Sequence, residues 1–483
     1  MVHGMLHKLI SVLIQATKSL RLDCGCADLE RIAVMVHRIM SYQSRQFHTL
    51  EHVFGFLEGA DGITALAAIF HDLIYYQIDD GFPADVAALL ERYVDCRPDG
   101  LYLRRDEQAS GPGPADQGYA AQGSAAQGSP DTAFEDCMRI FGFREGMKLP
   151  PYAGTNEFLS ALCMEKLSEN HISRKDRLAI AVCIEASIPF LGADSQGLSR
   201  GDALEKRLED ACRAAGLNLE RNELETMVRR AIAFANADVK DFAITDPARF
   251  LSNTWKLLPE SNESLRRKGA FSVAEYREAL QKMLGFFRSL DAANIFHSYR
   301  GAPDAAELLR LRTAAELNLK CAATYLRAKL LAVAFVEATA MVSGGDAPMA
   351  LFMGDVPEVG DETGGLMDLL EPVPAPAWLD GENPVYRLLK DGRLDESSFD
   401  LRNSPLALRF YHRLAPAVWY ERVETAERYF AGELSAGAFL DGFEASVRDE
   451  ILEACALLVP TRTIALRSWM EARRKGDRSE SGQ

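Results

Sequence analysis

The sequence has no glycine-rich phosphate loop, no CxxC pair and no apolar run long enough to span a bilayer. P-loop nucleotide chemistry and dithiol redox chemistry are therefore poor readings of this chain. The N-terminal apolar stretch Leu9 to Ile14 is broken by Gln15 and Lys18 and lacks a cleavage-site pattern, so neither a membrane anchor nor a secretory leader is expected. Basic residues are also short. Fifty-four Lys and Arg stand against 70 Asp and Glu, and the net charge of −16 repels phosphate backbones, which argues against nucleic acid as the main partner. A small phosphorylated metabolite stays allowed, because a bound cation can supply the missing local charge. The nine cysteines are scattered, and the one close pair, Cys24 and Cys26, has no second pair at zinc-ribbon spacing. Reduced thiols and a cytoplasmic location are the expectation.

What is present is helix. At 48% hydrophobic, the 483 residues can bury a large core or two smaller ones. Apolar residues recur at three- and four-residue steps, as in Ile32, Met35, Val36, Ile39 and Met40, and no run keeps a strand alternation. The periodicity predicts an all-α chain. A Gly-, Ala-, Gln-, Ser- and Pro-rich stretch that repeats AAQGS cannot fill a core and predicts a flexible insertion at about 98–131. Residues 1–343 are then expected to form a first helical domain, 344–384 an acidic Gly/Pro-rich linker, 385–472 a C-terminal helical region and 473–483 a disordered tail. The Leu- and Ala-rich stripes at 305–338 and 440–460 are expected to be core or a dimer seam, so a homodimer is allowed.

The segment Arg45 to Pro83 carries the chemistry. His48, His52 and His71 are three of the nine histidines. His48 and His52 are four apart, one turn on one face if a helix starts near Thr49. Gly59 is a helix stop. A second helix, about Ile63 to Tyr75, would deliver His71 and Asp72 near its end. A buried His-Asp doublet after Ala67, Ala68, Ile69 and Phe70 is unfavourable unless paired or bound to a metal, and imidazole with carboxylate suits Mn, Fe, Zn or Mg. The bland alternative is a His and an Asp that only cap a helix end.

With a helix-borne His, an HD doublet and a distant Asp, the chain resembles the HD superfamily of metal-dependent phosphohydrolases. FHTLEHV is similar to the YHN-x-x-HA stretch of cyclic-nucleotide phosphodiesterases and the YHNLxH stretch of small HD proteins, with Phe47 in place of Tyr and Thr49 in place of Asn. ANADVKDF, from Ala235, resembles the later D-x-D-L, and AAELNL, from Ala314, the closing helix, so the likeness spans about 28–335. The resemblance implies an HD helical bundle here extended at its C-terminus. It implies a metal cage of His52, His71, Asp72 and Asp238, with Asn236 and Asp241 as neighbours of the last. His48 would be the general acid, with extra ligand or supporting group as alternatives. Glu185, in IEASIPF, would orient a water, or else bond to backbone or arginine. Arg45 would clamp phosphate, or else lie on the surface at the start of a helix. His297 is expected to be structural. The implied cofactor is a divalent ion, Mn, Mg, Fe, Ni or Zn, and the implied substrate a phosphomonoester or phosphodiester, with a nucleotide among the candidates. A catalytically silent nucleotide-binding regulator and a plain helical scaffold are the rival readings.

Overall fold

The computed structural model describes residues 4–22, 24–55, 57, 59–104, 131–267, 269–354 and 365–480. Helix makes up 63% and strand 3%, so the all-α class holds. Among the described residues no helix is long and apolar enough to cross a membrane. The chain divides into two compact units, and the division is not the expected one. Unit 1 comprises Met1–Ala243 and Leu290–Ala315; unit 2 comprises Ile244–Ser289 and Glu316–Gln483.

Unit 1 contains helices α1 (Met5–Ser19), α2 (Cys26–Ile39), α3 (Leu50–Phe54), α4 (Gly62–Phe70), α5 (Ala87–Leu90), α6 (Thr132–Phe141), α7 (Thr155–Ser168), α8 (Arg174–Ala186), α9 (Arg200–Ala214) and α10 (Arg221–Asp238). α1 buries Leu9, Leu13 and Ala16, a single stripe at helical spacing. α4 is capped by the Asp61 carboxylate, which accepts from the Thr64 N–H at 2.8 Å, and nearly all of its residues are buried. Its first residue has to be glycine: a Cβ at Gly62 would lie 2.8 Å from the Ala16 carbonyl oxygen of α1. α8 is buried from Arg177 to Ala186 and packs against α4, α7 and α10, which makes it the centre of the unit.

The start of the expected insertion is ordered. Strands β1 (Val94–Arg97) and β2 (Gly100–Leu103) pair antiparallel, with Val94 opposite Leu103, because Val94, Leu101 and Leu103 are buried in the unit core. The AAQGS repeat, within 105–130, lies outside the described residues.

In unit 2 the helix Ala305–Ser343, which begins in unit 1, is buried on every face from Leu330 to Val336. Its Lys329 donates to both oxygens of Asp400, at 3.0 and 2.9 Å, and to the Ser404 hydroxyl. Arg393 donates to the same carboxylate and to the Tyr325 hydroxyl, both at 3.1 Å, and stacks over Trp255. The expected linker 344–384 belongs to this unit. Its described parts include the helix Met349–Met353 and the 3-10 turn Leu366–Leu369, and the buried side chains of Phe352 and Leu366 fix them there. The expected disordered tail is likewise corrected. The helix Thr463–Glu480 runs through Arg473 and Arg474, whose charges pair with Asp441 and Asp449. Residues 481–483 lie outside the described residues.

Candidate metal centre

Three helix ends build the centre. His52 sits within α3, Asp238 is the last residue of α10, and His71 follows α4 as its C-cap. α4 stops at Phe70, short of the expected Tyr75, because side chains take the backbone groups that would continue it. Arg45 donates to the carbonyls of Asp72 (2.7 Å) and Leu73 (3.0 Å), the Ser160 hydroxyl accepts from Ile74 N–H, and Asn156 accepts from Tyr76 N–H. The doublet is therefore held in a turn rather than on a helix face. The ammonium of Lys240 donates to the Gly55 carbonyl, which ties the end of α10 to the end of α3.

The His52 Nε2 lies 2.9 Å from Asp238 Oδ1 and 3.9 Å from Asp72 Oδ2, and the His71 Nε2 lies 3.0 Å from Asp72 Oδ2 and 3.5 Å from Asp238 Oδ1. The carbonyl of Ala68, 2.8 Å from His71 Nδ1, can only accept, so Nδ1 carries a proton and Nε2 faces the carboxylates. A neutral ring would then aim a lone pair at two carboxylate acceptors, an arrangement relieved only by a second proton or by a cation. Burial works against charging His71, but Asp72 and then Asp238 prevail and raise its pKa well above the usual value. Burial likewise opposes the charge on Asp72 and Asp238, yet His71 above all holds both carboxyls below the carboxylate range. The site is thus a net anionic cage of two imidazoles and two carboxylates. His71 is buried, whereas the side chains of Asp72, Asp238 and His52 keep 13–14% exposure, enough for a ligand to reach them. His52, His71 and Asp72 alone already bring their ligand atoms within 4.8 Å of one another. The donor set fits a borderline divalent ion.

The other expected site residues fall in different places. His48 lies in a bend before α3, so the helical-face argument does not apply. Its ring nevertheless packs at a tilt against Tyr75, centroids 4.4 Å apart, and stands 6.4 Å from the His52 ring, and its charge is among those that lower the Asp72 carboxyl. Arg45 does not lie on the surface at the start of a helix. Its side chain is sequestered with Asp79, to which the guanidinium donates, and its remaining donors fix the backbone of the doublet. Glu185 is buried and occupied by Arg200, at 3.4 Å, and by Arg207, which matches the bland reading of a carboxylate bonded to arginine. Asn236 has no ligand role. Its amide exchanges two hydrogen bonds with the backbone of His297, at 2.8 and 2.9 Å, and so locks the 291–300 segment beside the end of α10. Asp241 lies in the 3-10 turn Lys240–Ala243 after α10.

Two features escaped the sequence reading. Glu157, in the first turn of α7, has its carboxyl pushed up to about 7 by burial. Its own backbone amide opposes the shift, Asp72 and Asp238 add to it, and His71 opposes it. Thr155-Asn156-Glu157 before an apolar helix reads in sequence as an ordinary cap. Gly197-Leu198-Ser199-Arg200-Gly201 is a GxSxG pattern, but its Ser199 is the N-cap of α9, accepting from Asp202 N–H at 3.2 Å and donating to the Asp202 carboxylate. A nucleophile elbow needs a strand before the serine, and this segment has none. Comparison of the chain with protein-family models, curated proteins and solved structures returned no match.

Proposed function

We propose that the chain is an HD-type, metal-dependent phosphohydrolase acting on a phosphomonoester or phosphodiester, a nucleotide among the candidate substrates. The convergence of His52, His71, Asp72 and Asp238 from three helix ends supports this reading most strongly. A divalent cation, Mn, Mg, Fe, Ni or Zn, held there would supply Lewis acidity and make a water nucleophilic near neutral pH. His52, His71, Asp72 and Asp238 would be the side chains that hold it. In the hydrolysis, the water oxygen bonds phosphorus and the P–O ester bond breaks. Glu157, whose carboxyl burial pushes up to about 7 and which feels the charges of Asp72 and Asp238, would take the proton that the water gives up. His48 gives a proton to the departing oxygen. Arg45 and Glu185 act through the fold, the first by fixing the doublet's turn.

The test is metal content and turnover on a phosphoester panel. His71→Ala loses metal and activity together. His48→Ala and Glu157→Gln keep metal and lose about a hundredfold or more in turnover. Equal metal in all variants and wild type contradicts the reading. Metal and nucleotide binding without turnover would replace it with a silent regulator, and no metal at all with a helical scaffold.

A further inference from the structure

The Cys24-x-Cys26 pair plays no part in the centre above. The fold nevertheless brings Cys24, in the loop between α1 and α2, to Asp28, in the first turn of α2, and to His171, in the turn after α7. One ligand atom from each lies within 4.8 Å of the other two, and all three residues are partly buried. Sequence proximity explains only the first two; His171 arrives through the tertiary fold.

We propose that Cys24, Asp28 and His171 form a second metal site, specific for a thiophilic divalent ion of the zinc class. The donor set is the argument. A thiolate, an imidazole and a carboxylate from three side chains match the ligand types and the count of a zinc site with one position open to solvent. Hard ions such as Mg and Ca are poor partners for a thiolate. Around a tetrahedral ion, ligand atoms stand roughly 3.5 Å apart, and atoms that lie within 4.8 Å of one another can reach that spacing by side-chain rotation. Arg31 pairs with one carboxylate oxygen of Asp28, and its long, exposed side chain can swing away. An ion in this site would pin the start of α2 to the turn between α7 and α8. It shares no ligand with the His52 centre and does not rest on the phosphohydrolase reading.

Cobalt separates the two sites, because only this one offers sulfur. The full-length chain is stripped with chelator, loaded with Co(II) and examined for the thiolate-to-cobalt charge-transfer band. The band is expected in wild type and in His71→Ala, absent in Cys24→Ser, and to need about tenfold or more cobalt in His171→Ala. Cys26→Ser keeps it. Should Cys24→Ser fold poorly, zinc protection of a wild-type thiol from alkylation, mapped by peptide mass, gives the same answer at Cys24. No band in wild type, a band surviving in Cys24→Ser, loss in Cys26→Ser, or zinc protection that maps elsewhere overturns the assignment. Loss of metal at the His52 centre alone would leave the band in place.

Discussion

Each unit buries a knot of charge, and the two knots are built on opposite terms. In unit 2, two cations close on one carboxylate: Lys329 and Arg393 each donate to Asp400, and the hydroxyls of Tyr325 and Ser404 complete the contacts. Each of these contacts sets a donor against an acceptor. In unit 1, two carboxylates face two imidazoles, and one of those imidazoles already spends its Nδ1 proton on a carbonyl. The first knot gives each of its two cations a carboxylate oxygen from the protein itself. The second is balanced by an added proton or an ion, and it is a cluster that could bind a metal ion.

The contrast breaks most visibly at Asp400. Asp400→Ala leaves Lys329 and Arg393 buried without a counter-charge and should lower unfolding free energy by about 3–5 kcal/mol, read from the urea midpoint. A change below about 1 kcal/mol would mean that the knot tolerates its own excess charge. The unit 1 cage should instead gain from addition. Manganese at a hundred times its dissociation constant should stabilise the chain by about 2.7 kcal/mol, seen as a raised melting temperature that His71→Ala abolishes. A smaller effect tests the segment beside the cage. Burial, then Arg200 and Arg312, press the His297 imidazole down to about 4 from its ordinary 6.5. Between those values the unfolded chain binds a proton that the folded chain does not, so the contribution is present above pH 6.5 and is lost as pH falls toward 4. The slope from this ring is at most about 1.4 kcal/mol per pH unit, and His297→Gln should flatten it in denaturation series across that window.

Helical class was legible in the apolar spacing, and His52, His71 and Asp72 in rare residue types set close together, whereas Asp238 was indicated only by the resemblance of ANADVKDF to HD proteins. Roles that depend on remote partners were not. Arg45 and Glu185 look like reagents in a string of letters; Asp79 and two arginines far along the chain turn them into supports. Glu157 shows the reverse, a cap-like residue whose carboxyl only the surrounding fold pushes toward neutrality. The domain division was hidden for a similar reason. Nothing Gly- or Pro-rich marks the passages at Ala243–Ile244 and Ala315–Glu316, whereas the conspicuous Gly/Pro stretch after Ser343 falls inside unit 2.

That division limits how such a chain can be shortened or assembled. A fragment ending at Ser343 would keep Phe250, Trp255, Tyr276 and Phe287 but shed residues 344–483 of their unit, leaving large aromatics without much of their intended cover. No single break point yields both units whole. Proteolysis at one peptide bond cannot release either as an independent body.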